Sequence, residues 1–446
     1  MYTNTITQPT AQLPEDPFWQ TDLGKLYRAV PFDKLTALIP KTKREQSGKG
    51  CIPWLTTQGC IALLILKHYL CLSDSMLIER LNTDWAMQRF CGIQLKTGQR
   101  IRDDDLPGRC RRRIGTCLDI DKWQLTLASE WKGDLNHTHL GLTDATCYES
   151  YITYPTDAKL IWKCCVQATQ LVTILRKTAK LRRSRANHIK HKAAYLAFSR
   201  LKKKSHRKNK KLCRSLLKYL DRLLKQIAEL KSKYPSIRLK NAQQNRLETI
   251  EKAKQQQWKH YFGKESKVPD RIVSLHKPYV RAIVRGKETK PVEFGAKVNK
   301  VWVDGVCFIE YLSFNAFHEG IRFQSSTELQ RRYFGDCSQM GADAIYATNE
   351  NRTYCTIKGI ATCFVAKGKQ GREAEQKAQM RSVLGVLRGT QLEGSFGREK
   401  QFYLLDRIRA SSQETEIVWI FFGYLAANAV TIAKRRAGSK ERKKAA

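Results

Sequence analysis

The chain is short of acidic residues, and the shortage is uneven. Between Asp157 and Asp221 there is no Asp or Glu at all, while the same interval, 158–220, carries 20 Lys and Arg. Across 446 residues, 81 Lys and Arg face 41 Asp and Glu, a formal charge of +40. So large an excess goes beyond what solubility needs and calls for a polyanionic partner, nucleic acid before any other. Cysteine pairs at zinc or redox spacing are also missing: none of the 14 cysteines forms a C-x-x-C. They are expected to be small core hydrophobes rather than ligands. Long apolar runs are absent too. The longest, 61–66 and 417–427, fall short of the roughly 20 residues that cross a bilayer, so no spanning helix and no membrane partner are expected. The first twenty residues have neither a basic start nor an apolar centre. No secretory signal is expected, and the chain is placed in the cytoplasm, where its thiols stay reduced.

What is present suffices for real cores: 42% of residues are hydrophobic and 9% aromatic, enough for two or three folded domains. Over 54–117, Leu63, Leu64, Leu66 and Leu70, then Leu77, Ile78 and Leu81, recur at helical spacing, and Ser73 or Asp74 can cap the second helix. The stretch 105–119 sets Arg109, Arg111, Arg112 and Arg113 beside Leu106, Cys110 and Ile114. That is a helix with one basic face, suited to a DNA-contacting module of helix-turn-helix type; a merely solvated face is the bland alternative.

The basic block has a pattern of its own. Leu216, Leu220, Leu223, Ile227 and Leu230 follow the spacing of a heptad seam, and Pro235 interrupts before Leu247, Ile250 and Trp258 return. A helical hairpin over 185–262 is predicted, with Lys202, Lys203 and Lys204 available to phosphate; a protein-binding coiled coil is the rival. From about Pro291 the texture turns to strands at 292–298, 301–303 and 306–311, the last two joined through Asp304-Gly305, which reads as a β-hairpin. Further strands are predicted to end near Asp343 and to cover 360–365. Residues 392–433 read as mainly helical, followed by a basic tail from Lys434.

Three carboxylates stand out by position. Asp144 closes the apolar run 139–143, Asp343 follows Gly341-Ala342, and Glu393 opens a predicted helix. Three converging carboxylates are what two-metal phosphodiester chemistry requires, because hard oxygen ligands hold two ions about 4 Å apart. A separation of seven places Lys400 on the Glu393 face of such a helix, where it could meet phosphate. Position alone does not decide the matter, since 41 acidic residues form many triads and strand-terminal aspartates are mostly turn formers.

The residues around these carboxylates resemble the DDE transposases of bacterial insertion sequences, in particular the insertion-sequence-five-like group. The resemblance runs from "GKGCIPWLTTQGCIALLILKHYLCLSDSMLIERLNTDWAMQRFCGI" through "DATCYESYITYPTD", "RGKETKPVEFGAKV" and "GADAIYATNENRTYC" to "RGTQLEGSFGREK", in that order. It implies an α/β fold: an RNase H-like mixed sheet over 136–436, interrupted by a basic helical insertion at about 158–290. An all-helical DNA-binding domain, 1–135, precedes it and a basic tail, 437–446, follows. It implies Asp144, Asp343 and Glu393 as catalytic ligands of two Mg²⁺ ions, with Mn²⁺ able to substitute, and Lys400 as the lysine downstream of the glutamate. The implied reaction cuts terminal inverted repeats and joins the 3′ ends to target DNA. Double-stranded DNA is then the partner and a homodimer is expected, since two ends must meet; the heptad seam either serves it or closes within one chain. One departure stands out: many members have an arginine four residues before the glutamate, where this chain has Gly389, with Arg388 one place earlier. On an ideal helix Arg388 falls off the Glu393 face, so it is expected to act from a preceding turn, if on DNA at all. Glu149, Glu319 and Asp336 are read as solvated or structural. Two rivals remain at this level: a transposase-derived DNA-binding protein without catalysis, and an RNase H-like nuclease.

Overall fold

A computed structural model describes residues 16–41, 46–48, 53–182, 184, 187–263, 265, 268–284, 291–368 and 374–445. The leader reading of residues 1–15, and parts of two quoted stretches (49–52 and 285–290), lie outside it.

The sheet contains β1 (Leu140–Ser150), β2 (Ala282–Val284), β3 (Val292–Val303), β4 (Val306–Ser313), β5 (Gln339–Ala342), β6 (Ala361–Thr362) and β7 (Arg407–Ile408). Its order is β2-β3-β1-β5-β6, with β4 on the other side of β3 and β7 on the end of β1. β3 runs antiparallel to β1 and β4, whereas β5 and β7 run parallel to β1 and β6 parallel to β5. The protein is therefore mixed α/β. The predicted hairpin forms about Asp304 and Gly305, whose φ values of 44° and 89° are those a tight two-residue hairpin turn requires. β1 is longer than its apolar run suggested. Residues 144–149 pair with 300 down to 295 of β3, so Asp144 lies within the strand instead of ending it. The predicted strands 292–298 and 301–303 are one strand for the same reason.

Helix Gln413–Ala445 runs through the core. It packs against Asp22–Arg28, Thr57–Leu70, Leu106–Gly115 and β4, and an element apolar on every side can only be internal. Within its segment Gln413–Ser439 an 18-residue window with mean hydropathy 1.6 is long and apolar enough to cross a membrane, a longer apolar stretch than the run 417–427 suggested. Its most apolar window is 78% buried inside the protein. Because this last helix fills the space between the N-terminal helices and the sheet, both share one continuous core. The described helices from Asp22 to Trp131 thus have no core separate from that of the sheet. The expected tail at 437–446 continues that helix as far as Ala445.

The insertion between β1 and β2 has a core of its own. It comprises helices Asp157–Thr178, His188–Ser199, His206–Lys233 and Asn241–Tyr261, so the predicted hairpin is a bundle that starts earlier. Leu160, Ile161, Cys164, Ala168, Leu171 and Leu175 form the missing stripe, and the seam from Leu216 to Leu230 is buried against them. At about 1.5–3 kcal/mol for each buried Leu or Ile, that seam is satisfied within one chain and is not a free dimer surface. Asp157 closes the bundle's base, accepting from Arg271 at 2.6 Å and from the Tyr261 hydroxyl at 2.7 Å.

Candidate active site

β5 pairs with β1 through four positions, the last joining Ala342 to Thr143. Asp343 and Asp144 come one step later on adjoining parallel strands, which lie about 4.8 Å apart. Each carboxylate accepts from the next backbone N–H at 2.7 Å, Asp144 from Ala145 and Asp343 from Ala344. Asp343 is exposed, as its place at the strand's end predicted, while the Asp144 side chain is 17% exposed. Burial pushes the Asp144 carboxyl up to about 6, and the charges of Glu319 and Asp343 push the same way; the Ala145 N–H and Arg388 oppose them. Glu319, expected to be structural, bonds Lys297 at 2.7 Å and is felt at Asp144. Asp336 is exposed, as expected.

Glu393 arrives from another element. Helix Ala374–Leu387 passes through a single π-turn, Arg388–Leu392, into helix Glu393–Phe402. Glu393 therefore lies inside a continuing helix, not at the start of one. The wider turn also overturns the expectation for Arg388, which rested on ideal α-geometry: a π-turn bonds i to i+5 and aligns residues five apart. Arg388 Nη1 stands 3.0 Å from Glu393 Oε1 and 3.8 Å from Asp144 Oδ2. Lys400 Nζ donates to Thr146 Oγ1 at 3.1 Å, two residues along β1 from Asp144.

Beneath the helix is a buried network that the sequence pattern does not reveal. Lys300, opposite Asp144 on β3, donates to Glu399 Oε1 and Ser395 Oγ, both at 2.7 Å. Its side chain and that of Glu399 are 0% and 1% exposed. Glu399 also accepts from the Tyr148 hydroxyl at 2.6 Å, and Tyr148 meets Tyr424 at 2.8 Å. These bonds pin helix Glu393–Phe402 to β1 and β3 and so position Glu393. One signal was available: Lys300 shares strand parity with Val298 and Trp302, which are buried.

The residues expected to touch DNA divide. Arg111 is buried, bonded to Asp74 and stacked over Trp419 at 5.0 Å, so phosphate contact is closed to it. Arg112 bonds Asp105 at 2.6 Å and Arg113 bonds Thr57 at 2.5 Å. Of the helix's cations only Arg111 is withdrawn into the protein; Arg109 and Arg112 keep more than half of their side chains exposed. Lys202, Lys203 and Lys204 are exposed at the turn before helix His206–Lys233, which continues outward with Arg207, Lys210, Lys211 and Lys218.

Among the described residues no three His, Cys, Asp or Glu side chains stand close enough together to hold a metal ion. Arg388 occupies the space between Asp144 and Glu393 and supplies the positive charge there. The donor chemistry nevertheless fits a hard divalent cation, because every candidate ligand is a carboxylate oxygen. Asp144, raised by burial and then by neighbouring acids, stands to gain from a cation. The described cysteines read as core residues: ten of the thirteen are buried, and none of the thirteen is in a disulfide. No protein-family model, no curated protein and no solved structure matches this chain.

Proposed function

We propose that this chain is a DDE-class transposase with an RNase H-like core, of the kind found in the insertion-sequence-five-like group. In this reading it cuts the terminal inverted repeats of its element and joins the 3′ ends to target DNA. The observation that carries the proposal is the neighbouring placement of Asp144 and Asp343 on parallel strands, with Glu393 linked to Asp144 through Arg388 on a helix pinned to the sheet. The mixed sheet, interrupted after its first strand by a basic bundle, supports it as well.

Asp144, Asp343 and Glu393 would hold two Mg²⁺ ions, or Mn²⁺ in their place, which when bound supply activation of the attacking oxygen and stabilisation of the leaving one. Arg388 and Lys400 flank these carboxylates and offer donors to phosphate oxygens. Glu393 has to leave Arg388 to act as a ligand, which frees the guanidinium for DNA. The exposed cations of the bundle bind double-stranded DNA through its phosphates. Joining two ends requires two copies in one complex, and since the heptad seam is buried the dimer contact lies elsewhere. The work is done in the cytoplasm on chromosomal DNA.

The test is Mg²⁺-dependent cleavage and strand transfer on DNA carrying the element's own ends, with Asp144→Ala, Asp343→Ala and Glu393→Ala for comparison. Wild type should cut and rejoin, and each variant should bind without cutting. Cleavage without strand transfer, or without need of the inverted repeats, points instead to an RNase H-like nuclease. One observation favours a second reading, a DNA-binding protein without catalysis: the position of Arg388 between the carboxylates. Binding of the ends with no cutting in Mg²⁺ or Mn²⁺ would establish that reading and end the catalytic one.

A further inference from the structure

One cation sits on two carboxylates of the candidate ligand set. Arg388 Nη1 stands 3.0 Å from Glu393 Oε1 and 3.8 Å from Asp144 Oδ2, and a guanidinium does not give up its proton in a protein. It cannot make room for a second cation by turning neutral, so it has to move. A divalent ion on these oxygens and a guanidinium among them exclude each other by charge.

The fold decides which partner moves. Helix Glu393–Phe402 is fixed from below, since Ser395 and Glu399, both buried, bond Lys300 at 2.7 Å. The helix before the π-turn, Ala374–Leu387, buries Leu384 alone among its described residues. Arg388 also opens the π-turn, and its contact depends on that turn: residues five apart lie about 140° apart around an ideal α-helix, whereas a π-turn aligns them. The guanidinium is thus the less anchored member of the pair.

The Arg388 side chain is 23% exposed and that of Glu393 54%, so a ligand arriving from solvent meets the pair. A phosphate is the ligand that competes best with Glu393 for the guanidinium, because its oxygens accept two parallel charge-assisted bonds. We propose that Arg388 is a lock opened by DNA: in the free protein it takes the place of a metal ion between Asp144 and Glu393, and a DNA phosphate draws it away. Affinity for a divalent ion then rises when substrate is in place. This rests on the DNA-processing reading above and adds to it the regulation of that site. The coupling is reciprocal, so the ion has to tighten DNA binding by the factor with which DNA tightens ion binding.

The test titrates the full chain with Mn²⁺, following the free ion by electron paramagnetic resonance, with and without a duplex carrying the element's own end; the duplex alone is the blank. In wild type the duplex should tighten Mn²⁺ binding by about tenfold. Arg388→Gln should bind Mn²⁺ about tenfold more tightly than wild type when no DNA is present, and adding the duplex should then change little. Arg388→Lys, which keeps the charge, should keep DNA-free binding weak. Two results overturn the proposal: wild type that binds Mn²⁺ equally with and without the duplex, and Arg388→Gln that binds it as weakly as wild type without DNA while circular dichroism reports the same fold. Wild type that shows the coupling yet cuts no DNA in Mg²⁺ loses the transposase reading and keeps the lock. Wild type that cuts and rejoins the ends without the coupling keeps that reading and loses the lock.

Discussion

The insertion bundle and the sheet it interrupts hold their charges in opposite ways. On the bundle, Lys202, Lys203, Lys204, Arg207, Lys210, Lys211 and Lys218 are exposed, over an apolar interior that closes without them. In the sheet the cations are drawn inward and matched one to one: Lys300 with Glu399, Lys277 with Glu416, Lys297 with Glu319, and Arg322 with Glu310. Repulsion among the bundle's cations costs stability that nothing inside the protein returns, a cost that the proposed contact with a polyanion would offset. The sheet's pairs serve geometry. A buried ion pair is weak evidence for stability, but removing one partner is severe, so such pairs fix a single arrangement of the elements they join.

The largest effect should come from breaking a sheet pair. Glu399→Ala leaves Lys300 buried and uncompensated, and should lower unfolding stability by about 3–5 kcal/mol in urea titration, together with any activity that needs Glu393 in place. Next is Asp144, where charge is held against its preference. Its folded pKa, about 6, lies above the unfolded value near 3.8, so the ionised form is destabilising above about pH 6 and the penalty disappears below about pH 4. Asp144→Asn should therefore stabilise the metal-free protein by roughly 3 kcal/mol near pH 8, at 1.36 kcal/mol per pKa unit. The gain should fade as the pH drops, and thermal melts across that range check it. Smallest in stability, and different in kind, is the bundle's face. Changing Lys210, Lys211 and Lys218 to Gln should move unfolding by no more than about 0.5 kcal/mol each. The same change should reduce the slope of log binding constant against log salt by about 0.9 for every phosphate left without its cation. A bundle variant that unfolds the protein, or a sheet variant that alters only the salt slope, would break the contrast.

What was legible in the sequence follows from range. The seam Leu216 to Leu230, the turn at Asp304-Gly305 and the strand end at Asp343 rest on neighbours a few residues away, and each was readable from periodicity or turn chemistry. β1 extends past Asp144 because residues 144–149 owe their extended form to β3, some 150 positions later. Arg111 reads as a DNA contact in sequence because Asp74 and Trp419, which bury it, come from distant parts of the chain. The same distance hides Lys300 and Glu399, two charges that no local pattern joins. Arg388 is misplaced by sequence for a different reason: nothing in "RGTQL" announces a π-turn, and a single extra residue in one turn moves the guanidinium onto both carboxylates.

Whether Asp144, Asp343 and Glu393 act as one ligand set for a hard divalent ion is open to titration calorimetry with Mn²⁺ on the DNA-bound protein. Wild type should bind Mn²⁺ saturably, and Asp144→Asn, Asp343→Asn and Glu393→Gln should each lose that binding. Equal Mn²⁺ binding by wild type and all three variants would contradict that assignment.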